Sequence, residues 1–253
     1  MSRHYVDSYL MMPNHPITVT VIGCGGTGSY VVTQLAKIAV ALKALRDIQM
    51  RVIVCDDDKV EAHNVGRQLF SESDIGQYKS NVIVSRVNRF YGFNWKSGTE
   101  RMNYVPPCNI VITCVDNVKT RRMIRDLKYK KHNKNCENYQ RYMYWMDFGN
   151  SKDYGQYILS TFGSINQPDC NTPGDSHHYT LPNVFDLYGR MKEVPNEPSC
   201  SMAESLSEQD LFINLQLASA GINLLWKLLK EHQISYHGQF INSGTGDFRP
   251  IKI

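Results

Sequence analysis

Short apolar runs alternate with amphipathic stretches through the first half of the chain. The β-branched runs Ile17–Ile22 and Met50–Cys55 and the almost continuously apolar run Asn109–Val115 predict buried strands. Apolar residues at helical spacing in Ser29–Leu45 and Ile75–Phe90 predict helices after the first two of these strands. This alternation predicts an α/β fold: a Rossmann-like, doubly wound and mostly parallel sheet with helices on both faces.

The second half of the chain departs from this alternation. We predict a short strand at Met102–Val105, a helix at Val118–Lys130, and strands at Tyr142–Phe148 and Gln156–Phe162. Residues 163–198 are rich in Pro, Asn, Asp, Ser and Gly, which predicts a long crossover loop. A helix at 208–231 and a hairpin at 239–253 follow, so C-terminal antiparallel strands should extend the sheet. We interpret residues 1–253 as one domain with an N-terminal arm at 1–16.

The composition is that of an ordinary folded protein. Of the 253 residues, 42% are hydrophobic and 21% are charged, and no apolar run is long enough for a membrane span, so we expect a cytoplasmic protein. The formal charge of +4 is mild. One basic cluster is interpreted as a solvated helix face and not as a nucleic-acid site: Arg121, Arg122, Arg125, Lys128, Lys130, Lys131 and Lys134. The seven cysteines form no C-x-x-C pair, which argues against disulfides and structural zinc.

A glycine-rich turn follows the first predicted strand. Gly23, Gly25 and Gly28 fit the pattern G-x-G-x-x-G, and Gly26 lies within it. Glycines let the backbone approach a phosphate, and the first N–H groups of the next helix provide donors and a positive dipole end. The motif predicts nucleotide binding, although a tight strand–helix turn without a ligand would use the same glycines.

Charged and amide side chains follow the end of the second predicted strand. A carboxylate at Asp56 can accept hydrogen bonds from both ribose hydroxyls, while Asp58 could orient Arg67 or a metal ion. Arg67 and Lys79 are cations of the kind that phosphates or a carboxylate require. Two amide side chains beside them could bind phosphate oxygens or close a turn: Asn64 and Gln68.

Two later residues are further candidates. Asp116 ends the strand Asn109–Val115, where ligands of parallel sheets bind, and it could hold Mg²⁺ or cap the next helix. Cys200 lies in the polar stretch Glu197–Glu204, which suits a nucleophile as well as an ordinary loop cysteine.

Together these residues resemble the ThiF/MoeB family, relatives of the ubiquitin-activating enzymes. The pattern runs through Gly23, Asp56, Asp58, Asn64, Arg67, Gln68, Gly76–Lys79 and Cys114–Asn117. Its C-terminal half includes Gly155–Gln156, Pro198–Cys200 and the helix near Leu215–Leu229. The stretch Ser199–Asp210 with Phe212–Asn214 is similar to the ThiF-like members of the PRTRC gene cassette, which sit beside a small ubiquitin-like protein.

The resemblance implies an adenylyltransferase that uses ATP and Mg²⁺ to activate the C-terminal carboxylate of a ubiquitin-like or sulfur-carrier protein. It assigns Asp56 to the ribose, Arg67 and Lys79 to the phosphates, and Asp116 to magnesium and catalysis. Cys200 falls where the family can carry a thiol that accepts the activated acyl group. A homodimer is also implied. The family's paired zinc cysteines are missing from this sequence, so no zinc is expected.

Other functions fit part of the pattern. An NAD-dependent oxidoreductase would use the glycine turn and Asp56, but it leaves Arg67, Lys79 and Asp116 without a shared task. A non-catalytic, partner-binding module would be expected to lack some of these phosphate and metal residues. Adenylation of a peptide or of a tRNA base is a third alternative, within the same family.

Overall fold

The computed structural model describes residues 2–129, 138–169, 174–189 and 210–253. Within these ranges the strands are β1 (Ser2–Tyr5), β2 (Ile17–Ile22), β3 (Met50–Cys55), β4 (Lys96–Gly98), β5 (Ile110–Thr113), β6 (Tyr144–Asn150), β7 (Tyr154–Thr161), β8 (Ser176–His177), β9 (Gln233–Ile234), β10 (Tyr236–Asn242) and β11 (Asp247–Lys252). The α-helices are α1 (Ser8–Met11), α2 (Gly26–Arg46), α3 (Lys79–Tyr91), α4 (Val118–Arg125), α5 (Val184–Tyr188) and α6 (Ile213–Glu231).

Eight of these strands form one mixed sheet in the order β11-β10-β7-β6-β5-β2-β3-β4. The five strands from β6 to β4 are parallel, and β7, β10 and β11 add antiparallel pairs at the other side. A second, smaller sheet has the order β8-β1-β9. The predicted α/β class, the mostly parallel sheet and the C-terminal antiparallel extension are therefore confirmed.

The central strands are mostly apolar and buried because both faces of the sheet are covered. Ile110 and Ile112 of β5 face the core that includes α2 and α6, while Val111 between them faces a second core with Ile124 of α4 and Trp145 of β6. Consecutive side chains of a strand point to opposite faces, so a strand buried on both sides loses the apolar–polar alternation.

Several predicted elements need correction. Met102–Val105 is not a strand: Val105 is buried, but its carbonyl oxygen accepts the hydroxyl hydrogen bond of Tyr142 at 2.6 Å. Helix α4 ends at Arg125 and continues as a 3₁₀ turn. The predicted loop 163–198 contains β8 and α5, and α6 begins at Ile213, later than predicted.

The N-terminal arm is attached to the main sheet through a buried histidine. His4 is fully buried, with Nδ1 2.6 Å from the carbonyl oxygen of His178 and Nε2 3.0 Å from the hydroxyl of Tyr144. Because a carbonyl can only accept, Nδ1 carries the proton and Nε2 accepts from Tyr144. Burial lowers the pKa of His4 from 6.5 to about 4.

We expect acid to destabilise this attachment. The folded state holds His4 neutral down to about pH 4, so His4 favours folding fully above pH 6.5 and this contribution is lost as the pH falls toward 4, by about 3 kcal/mol over the window. Urea unfolding at pH 7 and pH 4.5 should show a smaller loss of stability for His4→Gln than for the wild type. The exposed His15→Gln should keep the wild-type pH dependence, and an equal loss in all three proteins would contradict the assignment.

Candidate functional site

The polar residues predicted from sequence converge at the carboxyl ends of the parallel strands. The glycine turn follows β2, the acidic residues 56–58 follow β3, and Cys114–Asn117 follow β5. These three strands are neighbours in the order β5-β2-β3. Ligands of doubly wound sheets bind at this edge, so the topology alone brings three segments that are distant in sequence to one place.

The glycine turn is shaped by close backbone packing. Gly23 has φ of +89°, and a Cβ there would lie 2.6 Å from the carbonyl oxygen of Cys114. A Cβ on Gly28 would overlap the carbonyl oxygen of Gly23. Helix α2 begins at Gly26, and its N-cap residue Gly25 offers no side chain to cap the first turn. The first N–H groups of α2 are therefore suited to bind an anion.

Asp56 closes the turn from the β3 side. Its carboxylate accepts hydrogen bonds from the backbone N–H of Cys24 and, at 2.9 Å, from that of Asp58. Burial raises the pKa of Asp56, while the Cys24 N–H and the charge of Lys79 act in the opposite direction. A carboxylate has about four acceptor positions, so two N–H bonds leave capacity for the ribose hydroxyls predicted to bind here.

Lys79 is the cation of the site with the clearest geometry. It is the first residue of α3, is only 8% exposed, and places Nζ 3.0 Å from a carboxylate oxygen of Asp58. The predicted partner of Asp58 was Arg67 or a metal ion, whereas the structure pairs it with Lys79. Asp56, Asp57 and Asp58 each place a carboxylate oxygen within 4.8 Å of the others, a spacing that could hold a cation.

The two amide side chains that follow the acidic residues have different hydrogen-bond partners. Asn64 is buried and its Oδ1 accepts the N–H of Glu61, so it closes the 3₁₀ turn Ala62–Asn64, as one of the two interpretations predicted. Gln68 is 7% exposed, and among the described residues no donor binds its buried Oε1. A Cβ on Gly25 would lie 3.6 Å from that oxygen. Gln68 therefore turns an acceptor toward the glycine turn, where it could bind a hydroxyl group but not a phosphate oxygen.

Asp116 is exposed at the end of the loop after β5. The helix cap that its position could have provided comes from Asn117, whose side chain accepts the N–H of Thr120 at 2.8 Å. Arg67, between Asn64 and Gln68, is half-buried. Cys200 lies outside the described residues, so its predicted role as a nucleophile has no structural counterpart here.

A buried ion pair under the site was not predicted. Arg121 of α4 donates from Nε to both carboxylate oxygens of Asp147 at 2.9 and 3.0 Å, and both residues are at most 5% exposed. Thr113 donates its hydroxyl to Asp147, and the indole N–H of Trp145 donates to Thr113. Burial raises the pKa of Asp147, and Arg121 counteracts this effect. The interpretation of Arg121 as part of a solvated basic face was therefore wrong.

One signal in the sequence could have indicated this pair. Asp147 interrupts the otherwise apolar stretch 142–148 of a predicted strand, and carboxylates are almost never fully buried without a partner. Asn214 accepts a hydrogen bond from Thr27 at the start of α2, and Asn150 donates to Asn214, but neither residue gave a comparable signal in the sequence.

The N-terminal arm and two clefts lie away from this site. Arg3 of the N-terminal arm donates to the side chain of Gln233 at 2.9 Å. One cleft of about 310 Å³ lies around Asp7 and Arg141, and another of about 350 Å³ lies around Thr161 and Asn183. Both are near the amino ends of β5 and β6. The strand-end chemistry described above therefore lies at the opposite edge.

Comparison with protein families gives one match that includes this site. The ThiF family model matches residues 15–138, which contain the glycine turn, Asp56, Lys79 and Asp116. This match supports the resemblance to the ThiF/MoeB family over that part of the chain. No curated protein matches the chain. None of the described helices is long and apolar enough to cross a membrane.

Solved structures give more particular likenesses. The structure of E. coli MccB with ATP is 16% identical with a TM-score of 0.58, covering 93% of this chain and 63% of that one. The microcin C7 biosynthetic enzyme MccB in complex with N-formylated MccA is 16% identical, with a TM-score of 0.56 and coverages of 93% and 64%. PaaA is 11% identical, with a TM-score of 0.60 and coverages of 94% and 73%. These likenesses are of fold, and the chain spans less than two thirds of the MccB chains.

We expect the buried pair to be essential for stability. Removing one partner leaves an uncompensated buried charge, which typically costs about 3–5 kcal/mol. Arg121→Met and Asp147→Leu should each lower the free energy of unfolding in urea by that amount. The double variant should be more stable than either single variant, and Arg122→Met on the exposed neighbour should be close to wild type. Strictly additive losses in the double variant would show that the two charges do not interact.

Proposed function

We propose that this protein catalyses ATP-dependent adenylation of the C-terminal carboxylate of a peptide or small protein. The observation that carries the proposal is the convergence at one sheet edge of the uncapped α2 N-terminus, the Asp56 carboxylate, the Lys79 cation and the exposed Asp116. The ThiF family match over residues 15–138 and the fold shared with MccB solved with ATP support it.

The proposed arrangement assigns one part of ATP to each group. Asp56 accepts the ribose hydroxyls with its remaining lone pairs, and the N–H groups at the start of α2 face the phosphates. Lys79 and Arg67 neutralise phosphate charge, and Gln68 supplies an acceptor at the glycine turn. Lys79 is already near-fully buried and oriented by Asp58, so little side-chain entropy remains to be lost when a phosphate replaces the carboxylate.

The chemistry requires positioning and charge neutralisation more than proton transfer. A carboxylate oxygen of the substrate attacks the α-phosphorus of ATP. The bond between the α-phosphorus and the oxygen that bridges to the β-phosphate breaks. Pyrophosphate departs, and the product is an acyl adenylate. The nucleophile is already ionised, so no general base is needed. Asp116 would hold Mg²⁺, which would supply positive charge to the phosphates when bound.

We infer that the substrate is a ubiquitin-like or sulfur-carrier protein, of the kind found with PRTRC-type relatives. MccB has been solved in complex with MccA, so a peptide substrate is the alternative within the same reaction. A homodimer is proposed by analogy with the family. An oxidoreductase using NAD has less support, because hydride transfer gives the buried Lys79 and the exposed Asp116 no common task.

We expect Lys79→Ala and Asp116→Asn to lose ATP–pyrophosphate exchange by on the order of a hundredfold or more, because each removes charge from the phosphate region. Exchange would be measured with Mg²⁺ and a candidate ubiquitin-like protein ending in a free glycine. Lys43→Ala and Asp126→Asn are matched exposed controls and should keep wild-type rates. Unchanged exchange in Lys79→Ala, with folding verified by circular dichroism, would refute the phosphate assignment. Binding of the reduced nicotinamide cofactor, but not of ATP, would favour the oxidoreductase.

Cys200 can be tested separately from adenylation. If its thiolate displaces AMP from the acyl adenylate, Cys200→Ala should retain exchange and lose any reductant-sensitive conjugate with the partner. Cys136→Ala provides a cysteine control elsewhere in the chain. Non-reducing electrophoresis with and without dithiothreitol measures the conjugate, and its persistence in Cys200→Ala would make another thiol the acceptor.

A further inference from the structure

Asn214 connects the start of α6 to the start of α2. It is 2% exposed, and its Oδ1 accepts hydrogen bonds from the hydroxyl of Thr27 at 2.8 Å and from the side-chain amide of Asn150 at 2.9 Å. Thr27 is the second residue of α2, and Asn150 is the last residue of β6. One side-chain oxygen therefore joins three elements, and the contact between α2 and α6 spans 187 residues of sequence.

The same side chain also packs against the first residue of α2. A Cβ placed on Gly26 would lie 2.7 Å from Nδ2, 2.9 Å from Cγ and 3.0 Å from Oδ1 of Asn214. All three heavy atoms of the amide thus occupy the space of a side chain at position 26. Gly26 has no positive φ, so its glycine is required by contact with Asn214 and not by its backbone conformation.

This contact determines how the N-terminus of α2 is held. Thr27 is buried, and its hydroxyl donates to Asn214. Gly25, the N-cap residue, has no side chain that could hold the first turn of α2. Asn214 instead contacts this turn at Gly26 and Thr27. Helix N-termini bind anions through N–H groups whose direction is fixed, so the side chain that fixes the first turn fixes the direction of the donors.

We propose that Asn214 is a positioning residue for the phosphate-binding turn, contributed by the C-terminal half of the chain. It orients the N–H groups of Gly26 and Thr27 through one accepted hydrogen bond and direct packing. This inference rests on the proposed binding of ATP at the turn. The family model matches residues 15–138, which contain the phosphate-binding turn but not Asn214. The turn would therefore depend on a residue outside the matched segment.

The first test compares nucleotide affinity with and without the amide. Asn214→Ala should weaken ATP binding, measured by titration calorimetry with Mg²⁺, about tenfold, because positioned N–H donors act on the phosphates. Adenosine, which lacks phosphates, should bind as in the wild type when measured by ligand-observed NMR. Asn223→Ala, on the exposed side of the same helix, is the matched control and should bind both ligands normally.

A double-mutant cycle tests the packing contact itself. Gly26→Ala should weaken ATP binding more than Asn214→Ala does, because the new methyl group collides with the amide. In the Gly26→Ala background, the added change Asn214→Ala should recover part of the ATP affinity, since the methyl group then occupies the vacated space. Thermal melting of all variants establishes that each one is folded at the assay temperature.

The outcomes separate this inference from the proposed function. Wild-type ATP affinity in Asn214→Ala, or equal losses for ATP and adenosine, would overturn the positioning role while leaving adenylation in place. Absence of recovery in the double variant would exclude the packing contact as its basis. A wild-type protein that binds no ATP would remove the proposed function, and this inference with it.

Discussion

The close approach of β2, α2 and β5 at the glycine turn fixes the position of every other part of the site. No side chain fits at Gly28 against the carbonyl oxygen of Gly23, and a side chain at Gly23 would collide with Cys114. Helix α2 can therefore begin directly against the carboxyl ends of both strands. Its N–H groups then lie beside Asp56 and the loop of Asp116, which is the geometry that a bound nucleotide requires.

In the proposed complex, a phosphate could enter this turn without leaving a buried ion uncompensated. Lys79 is buried, but its partner Asp58 has a side chain that is 70% exposed. Ion pairs with an exposed partner contribute little stability, so Asp58 can return to water when a phosphate takes its place. Asp56, in contrast, is held by backbone N–H groups and stays in place. The site thus combines a fixed acceptor with an exchangeable counter-ion.

The sequence predicted the parts of the fold that depend on local pattern. The bounds of β2 and β3 agree with the predicted runs, because both strands are mostly buried and rich in apolar and β-branched residues. Strand β4 consists of Lys96, Ser97 and Gly98 and pairs with β3 at the sheet edge, so it carries no apolar pattern that would reveal it. The glycine turn, Asp56 and Lys79 could be grouped because their elements follow adjacent parallel strands.

The interactions that escaped prediction all join distant segments. Arg121 and Asp147 are 26 residues apart in the sequence. Arg121 lies in a run of basic residues, a pattern typical of an exposed helix face. Only the packing of α4 on β6 distinguishes the buried Arg121 from the exposed Arg122. Asn214 is an amide at the start of an apolar helix, and nothing local to it indicates that its partner is Thr27.

The same long-range interactions make the site a product of both halves of the chain. Residues 15–138 supply the turn, the acids and the lysine, while β6 and α6 supply Asp147, Asn150 and Asn214 beneath and beside them. Arg121 ties α4, and hence the loop of Asp116, to β6, and Asn150 at the end of β6 binds Asn214. Strand β6 is thereby linked to both the proposed metal loop and the phosphate turn. Because packed elements transmit displacement, a shift of β6 would move both together. The two groups proposed to face ATP would then keep their relative position.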